Sequence, residues 1–246
     1  MPAFDAILCD LFETVVLFDP GRLPRLPIGG RPLPSTTPLL IPLLRPHLGE
    51  VDVDVVQAAL MGTWARARAE GDHKEIPSPE RFHWALKELG MDEAACQPLA
   101  LSLATTHTDA VCGSAYLPDT HREALRRLGE RHRLALISNF DHAPACRRLL
   151  AREGLADRFE VIVISDELGL RKPHPRVFEA ALDALGLPAS ACLFVGDSFT
   201  DDVAGARRCG MKAAWVNARG RPLPEGEAPP DLELRSFADL PAALGL

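Results

Sequence analysis

From Tyr116 onward, short apolar runs alternate with amphipathic segments, and no other feature of the chain limits its possible folds as tightly. The pattern predicts helices over 120–131, 145–153, 175–185 and 202–209, and strands over 134–137, 159–164, 192–195 and 213–216. Apolar runs this short are strand-length rather than helix-length, and strands that alternate with helices lie parallel in a sheet covered on both faces. A Pro- and Gly-rich connector over 219–230, an edge strand near Leu232 and a closing helix from about Phe237 complete this half. The run Ala6-Ile7-Leu8-Cys9 reads as a further buried strand of the same sheet, and it ends in Asp10. The fold class is therefore α/β, a parallel sheet interrupted after its first strand.

The interrupting segment has a different character. Residues 19–46 are crowded with Pro and Gly, which excludes a single helix or a central strand and predicts a long, partly polyproline-like excursion. Val53, Val56, Ala59, Leu60 and Trp64 then form one apolar stripe of a helix ending near Gly71. A second helix opens at Ser78-Pro79, with Ser78 as N-cap and Pro79 at the first helical position, and stops at Gly90. A third covers roughly 93–110. Residues 17–115 thus read as all-helical, without a strand.

Composition narrows the class of function. A net charge of -7 and the absence of any basic run exclude a broad nucleic-acid surface. The six cysteines are scattered, with no C-x-x-C pair, and read as buried thiols in a reducing compartment rather than zinc ligands or disulfides. No apolar stretch approaches a bilayer span, and the N-terminus lacks the pattern of a secretory leader. The expected location is the cytoplasm and the expected partner a small molecule, with neither nucleic acid nor membrane. No signature of an oligomeric state is present.

The chemistry gathers at the strand ends. The first strand ends in Asp10, the second in Ser138-Asn139, the third in a loop reaching Lys172-Pro173, and the fourth in Gly196-Asp197-Ser198-Phe199-Thr200-Asp201-Asp202. In a parallel sheet all four land on one rim, where open α/β sheets hold their ligands. Carboxylates, a hydroxyl and an ammonium together suit phosphoryl chemistry, in which carboxylate oxygens hold magnesium and Ser138 with Lys172 holds the transferring group.

These motifs, D-L-F-E-T, L-I-S-N-F-D, K-P-H-P and V-G-D-S-F-T-D-D, in this order and each after its own strand, resemble the haloacid dehalogenase-like hydrolase superfamily, in its branch with a helical cap. The resemblance covers 1–16 and 116–246 and implies a Rossmann-like core over those residues, with 17–115 as an inserted helical cap domain. It implies that Asp10 is the nucleophile and forms an aspartyl-enzyme intermediate. By the same resemblance Ser138, Asn139 and Lys172 bind the substrate anion. Asp10, Asp197 and the backbone carbonyl of Phe12 coordinate Mg²⁺, and Asp202 orients Lys172 or a metal-bound water.

One position departs from the pattern. Phosphatases of the family carry a second aspartate two residues after the nucleophile, and this chain has Phe12 there. A phenyl ring moves no proton, so acid-base assistance worth about 10²- to 10⁴-fold is missing unless another group, such as Glu13, supplies it. The leading expectation is a magnesium-dependent phosphatase acting on a small phosphorylated metabolite. A 2-haloacid dehalogenase, whose halide leaves without a proton, is the alternative, although such enzymes do not keep an intact G-D acidic motif. A phosphonate-cleaving relative using Lys74 or Lys87 and a catalytically weak or silent scaffold are further alternatives.

Overall fold

In the first strand, β1 (Ala6–Cys9), Ala6 and Leu8 join one buried cluster while Ile7 and Cys9 join another. That division is the period-two alternation of a strand buried on both faces. The protein is described by a computed structural model covering residues 4–246, so the first residues of the expected core segment 1–16 lie outside the described region. After β1 come β2 (Leu17–Phe18), β3 (Arg25–Ile28), β4 (Arg31–Pro34) and four helices. The helices are α1 (Thr37–Leu48), α2 (Val53–Ala69), α3 (Ser78–Glu88) and α4 (Glu93–Ser114). β5 (Ala115–Tyr116) then pairs antiparallel with β2, so the segment leaves the sheet and returns to it through adjacent strands.

The alternating half follows in order: α5 (Asp119–Gly129), β6 (Arg133–Ser138), α6 (Ala143–Arg152), β7 (Val161–Ile164), α7 (Ser165–Leu168) and α8 (Pro175–Leu185). Next come β8 (Cys192–Gly196), a π-helical turn over Phe199–Ala204 that runs into α9 (Gly205–Arg208), β9 (Lys212–Val216), β10 (Leu232–Leu234) and α10 (Leu240–Ala243). Six of these strands form one parallel sheet in the order β10-β9-β8-β1-β6-β7. Leu125 of α5 and Leu149 of α6 cover one face, and Phe178 of α8 and Val203 of the π-turn cover the other. β1 lies between β6 and β8, whose following loops turn to opposite sides, and this opens a crevice at its C-terminal end.

The insertion corrects two expectations. It is not all-helical: β3 and β4 form a hairpin within the Pro-rich stretch, turning at Gly29 and Gly30 with φ of 59° and 76°. Two successive positive-φ residues suit a tight hairpin turn, and Pro27 opposite Pro32 is tolerated because a two-stranded ribbon has open edges. The stretch also yields a helix, α1, despite Pro42 and Pro46 inside it. Both prolines face solvent, while Leu40, Ile41 and Leu44 on the opposite side pack with Val56, Phe82 and Leu103 in a separate buried cluster, which offsets the lost hydrogen bonds. Smaller differences follow. Pro77 rather than Ser78 caps α3, α4 runs on to Ser114, and Trp64 is exposed rather than part of the buried stripe. Cys209 is half-buried, the other cysteines are buried, and all are free. Among the described residues no helix is long and apolar enough to cross a membrane.

Candidate active site

β1 fixes Asp10 by its backbone: the Asp10 N–H donates to Val195 O of β8 at 2.9 Å, which carries the register one residue past the last paired position of the strand. Its carboxylate meets Lys172, whose side chain is the largest fully buried in the protein at 1% exposure. Lys172 Nζ donates to Asp10 Oδ1 at 2.7 Å and to Ile137 O at 2.9 Å, and it pairs with Asp202 Oδ1 at 2.7 Å. Two of its protons thus have acceptors, and Asp202 completes its surroundings as a buried counter-charge. Burial alone pulls the Lys172 ammonium down, but Asp10 and Asp202 together outweigh it and hold the proton above the ordinary lysine range.

Asp202 is held as firmly. Its Oδ2 accepts the Ser198 N–H at 2.9 Å, and burial pushes its carboxyl up although Lys172 opposes the shift. Gly196 makes room for it: a Cβ at that position would lie 2.3 Å from Asp202 Oδ2. Gly196→Ala is therefore expected to displace Asp202 from both partners and to cost about 2–3 kcal/mol in chemical denaturation. A loss below about 0.5 kcal/mol would show that Asp202 is free to retreat.

Asp197 stands opposite, half-buried in the same turn. Burial first, then the charge of Asp10, push its carboxyl up to about 6. Arg221 opposes that shift, with Nη2 3.4 Å from Asp197 Oδ2 and 3.0 Å from the Asp197 carbonyl. Trp215 Nε1 also donates to that carbonyl at 2.9 Å. Carboxylate oxygens of Asp10, Asp197 and Asp202 lie within 4.8 Å of one another. Asp202 is taken up by the Ser198 N–H and the Lys172 ion pair, whereas Asp10 Oδ2 has no hydrogen bond among the described residues and the Asp197 carboxylate has only Arg221, at 3.4 Å. Two hard oxygen donors so placed fit a small divalent cation such as Mg²⁺.

The remaining expected residues divide. Ser138 closes β6 fully buried, and its Oγ has no hydrogen-bond partner among the described residues. An orphaned hydroxyl at a strand end is a donor prepared for something that enters the site. Asn139 is committed differently: its Nδ2 donates to Lys172 O at 3.0 Å and its Oδ1 accepts the Lys172 N–H at 2.7 Å. Its side chain thus fixes the backbone that carries Lys172. The Phe12 ring stacks on Phe18, centroids 5.1 Å apart and nearly parallel, and on Phe140 at 4.9 Å. Glu13 sits at φ 60° and adds to the negative field on Asp197.

A family model for haloacid dehalogenase-like hydrolases matches residues 108–210, the stretch that carries Ser138, Asn139, Lys172, Asp197 and Asp202. Over that stretch, less than half of the chain, the protein resembles haloacid dehalogenase-like hydrolases. The chain is similar to phosphoserine phosphatase of Thermus thermophilus, 40% identical over 127 residues that cover 51% of this chain and 47% of the relative. It is similar also to the (S)-2-haloacid dehalogenase of Pseudomonas sp. strain YL, 35% identical over 58% of this chain and 62% of that one. The chain spans 36% to 64% of the length of such curated relatives. Its fold matches the crystal structure of 2-haloacid dehalogenase from Pseudomonas syringae pv. Tomato DC3000 with a TM-score of 0.73 over 98% of both chains, at 24% identity.

Several residues around the site carry no sequence signal. Arg221 lies in a Pro- and Gly-rich connector where an arginine is unremarked, yet it reaches Asp197. Glu75, between α2 and α3, accepts a hydrogen bond from Ser165 Oγ at 2.6 Å, and Ser165 Oγ in turn accepts the Phe140 N–H at 2.8 Å. Arg81 of α3 pairs with Asp141, which ties the insertion to the loop after β6. Each depends on long-range packing that local pattern does not encode.

Proposed function

We propose that the protein is a magnesium-dependent phosphatase that acts on a small phosphorylated metabolite through an aspartyl-phosphate on Asp10. The observation that supports this most is the acidic cluster of Asp10, Asp197 and Asp202 within 4.8 Å, beside a buried Lys172. Asp202 would hold Lys172 in either kind of site, but a site that only displaced halide leaves Asp197 without a partner to hold. In this proposal an Asp10 oxygen forms a bond to phosphorus while the bond from phosphorus to the leaving oxygen breaks, and the electron pair departs on that oxygen. Lys172 holds Asp10 in place and offsets part of its charge, Asp202 holds Lys172, and Ser138 Oγ donates to a phosphoryl oxygen. Asp10, Asp197 and the Phe12 carbonyl would hold Mg²⁺, which when bound draws off charge between the carboxylates and the phosphoryl group. The helices of 17–115 would close over the rim as a cap.

Phe12 favours one second reading, a 2-haloacid dehalogenase, because halide leaves without a proton. The same residue shapes the first: with a phenyl ring in the place of an acid, the preferred phosphate esters are those whose leaving groups are stable as anions. The two separate cleanly. Release of nitrophenol from p-nitrophenyl phosphate that requires Mg²⁺ is the expected result. Chloride release from 2-chloropropionate that is indifferent to EDTA would replace it with the dehalogenase, and silence in both assays would leave a scaffold without catalysis.

A further inference from the structure

A cavity of about 460 Å³ opens between the helices of the insertion and the sheet rim. Its floor includes Asn139, Phe140 and Arg171, residues that directly follow Ser138 and directly precede Lys172, so it adjoins the reaction centre through the chain itself. One wall is apolar, formed by Leu60, Met61 and Trp64 of α2 with Phe82 of α3. Met61 and Trp64 are 54% and 47% exposed, large apolar groups turned to solvent on a concave surface, which is the signature of a wall that a ligand covers.

Most polar groups of the lining are already satisfied. Ser35 and Thr37 donate to Gln57 Oε1, Thr36 shares a 2.6 Å hydrogen bond with His107, Arg81 pairs with Asp141, and Glu75 accepts from Ser165. His107 is uncharged near neutrality, pushed down to about 4 by burial and then by Arg81 and His142. Arg171 differs from all of these. At 7% exposure it is buried, yet its guanidinium makes one side-chain hydrogen bond, from Nη2 to the Arg68 carbonyl at 3.0 Å. No carboxylate among the described residues pairs with it. Burial first, then Arg68, push its guanidinium down from the ordinary value, and Glu75 and Asp201 offset this in part. A guanidinium without a carboxylate partner, its Nε and Nη1 free of protein hydrogen bonds among the described residues, can take one carboxylate on the floor of this cavity.

We infer that this cavity receives the organic part of the substrate and selects a carboxylate on an apolar, ring-sized body, with Arg171 taking the carboxylate and Trp64 the body. That the ligand is the leaving group rests on the phosphatase proposal, but binding of the carboxylate does not. Of the other cations lining the cavity, Arg81 is paired with Asp141, while Arg68, 5.1 Å from the Trp64 ring centroid, has no carboxylate partner among the described residues and adds to the field the carboxylate meets.

The test is equilibrium binding to the full chain, read by calorimetry and by tryptophan fluorescence, with 3-phenylpropionate and its uncharged amide as probes. The acid is expected to bind saturably and about tenfold or more tighter than the amide. Arg171→Gln should abolish the preference, Arg171→Lys should keep part of it, and Trp64→Ala should weaken acid and amide alike. Equal affinity of acid and amide for the unaltered protein, no binding of either, or a preference that survives Arg171→Gln in a folded variant would overturn the inference. Acid-selective binding by a protein that releases phosphate from no ester would support this inference and count against the phosphatase.

Discussion

Asp10→Asn is expected to lower Mg²⁺-dependent phosphate release by at least about 10³-fold while the thermal transition stays close to that of the parent protein. The amide fills the same volume and still offers Lys172 an acceptor oxygen, and Lys172 keeps Asp202 and Ile137 O. What disappears is the nucleophile, and an uncharged amide oxygen is a poor one. A 10³-fold loss corresponds to about 4 kcal/mol of transition-state stabilisation, more than positioning alone would remove from an intact fold. Parallel measurements of turnover and melting temperature check this. A folded variant that retains a tenth of the activity would place the reacting group elsewhere.

Lys172→Met should act on the fold as much as on the chemistry. The methionine chain fills the buried channel but leaves Asp10 and Asp202 facing each other, both formerly held at 2.7 Å from the same ammonium. Removing one partner of a buried ion pair strands the others in a poor solvent, and the expected cost is about 3–5 kcal/mol in urea denaturation. The double variant Lys172→Met/Asp202→Asn should recover about 1–3 kcal/mol of that loss, because one of the stranded charges is then gone. A Lys172→Met protein destabilised by less than about 1 kcal/mol would mean that the cluster is solvated and that Lys172 carries no structural burden.

The parallel sheet was legible because its code is local. Runs such as Leu134-Ala135-Leu136-Ile137, with helices between them, leave few alternatives, and strand ends in such a sheet share a rim whatever the details. Asp10, Lys172, Asp202 and Ser138 could be assigned to one rim from sequence for that reason, and the first three are in contact in the structure. What Asn139 does could not be read, since its side chain serves the backbone of Lys172, 33 positions away in sequence. The Pro-rich segment misled because proline is judged one residue at a time. Whether a hairpin or a helix survives it depends on an open ribbon edge or on the packing of Leu40 and Leu44, neither of which is local. Trp64 fell on a helical stripe and so read as core, whereas it lines a cavity that only the tertiary fold creates.

The position of Phe12 links the site to its substrate. Stacked on Phe18 and tilted against Phe140, the ring is packed among aromatics rather than a side chain free to be replaced at no cost. Its Phe140 neighbour also floors the cavity, so the absent acid and the apolar pocket share one residue.

The central claim is covalent attack by Asp10, and rapid acid quench during turnover of p-nitrophenyl phosphate with Mg²⁺, followed by peptide mapping in a mass spectrometer, tests it most directly. The account predicts a phosphoryl group on the peptide that contains Asp10, formed within the first turnover and absent from Asp10→Asn. Turnover that proceeds with that peptide unmodified at every quench time would contradict it.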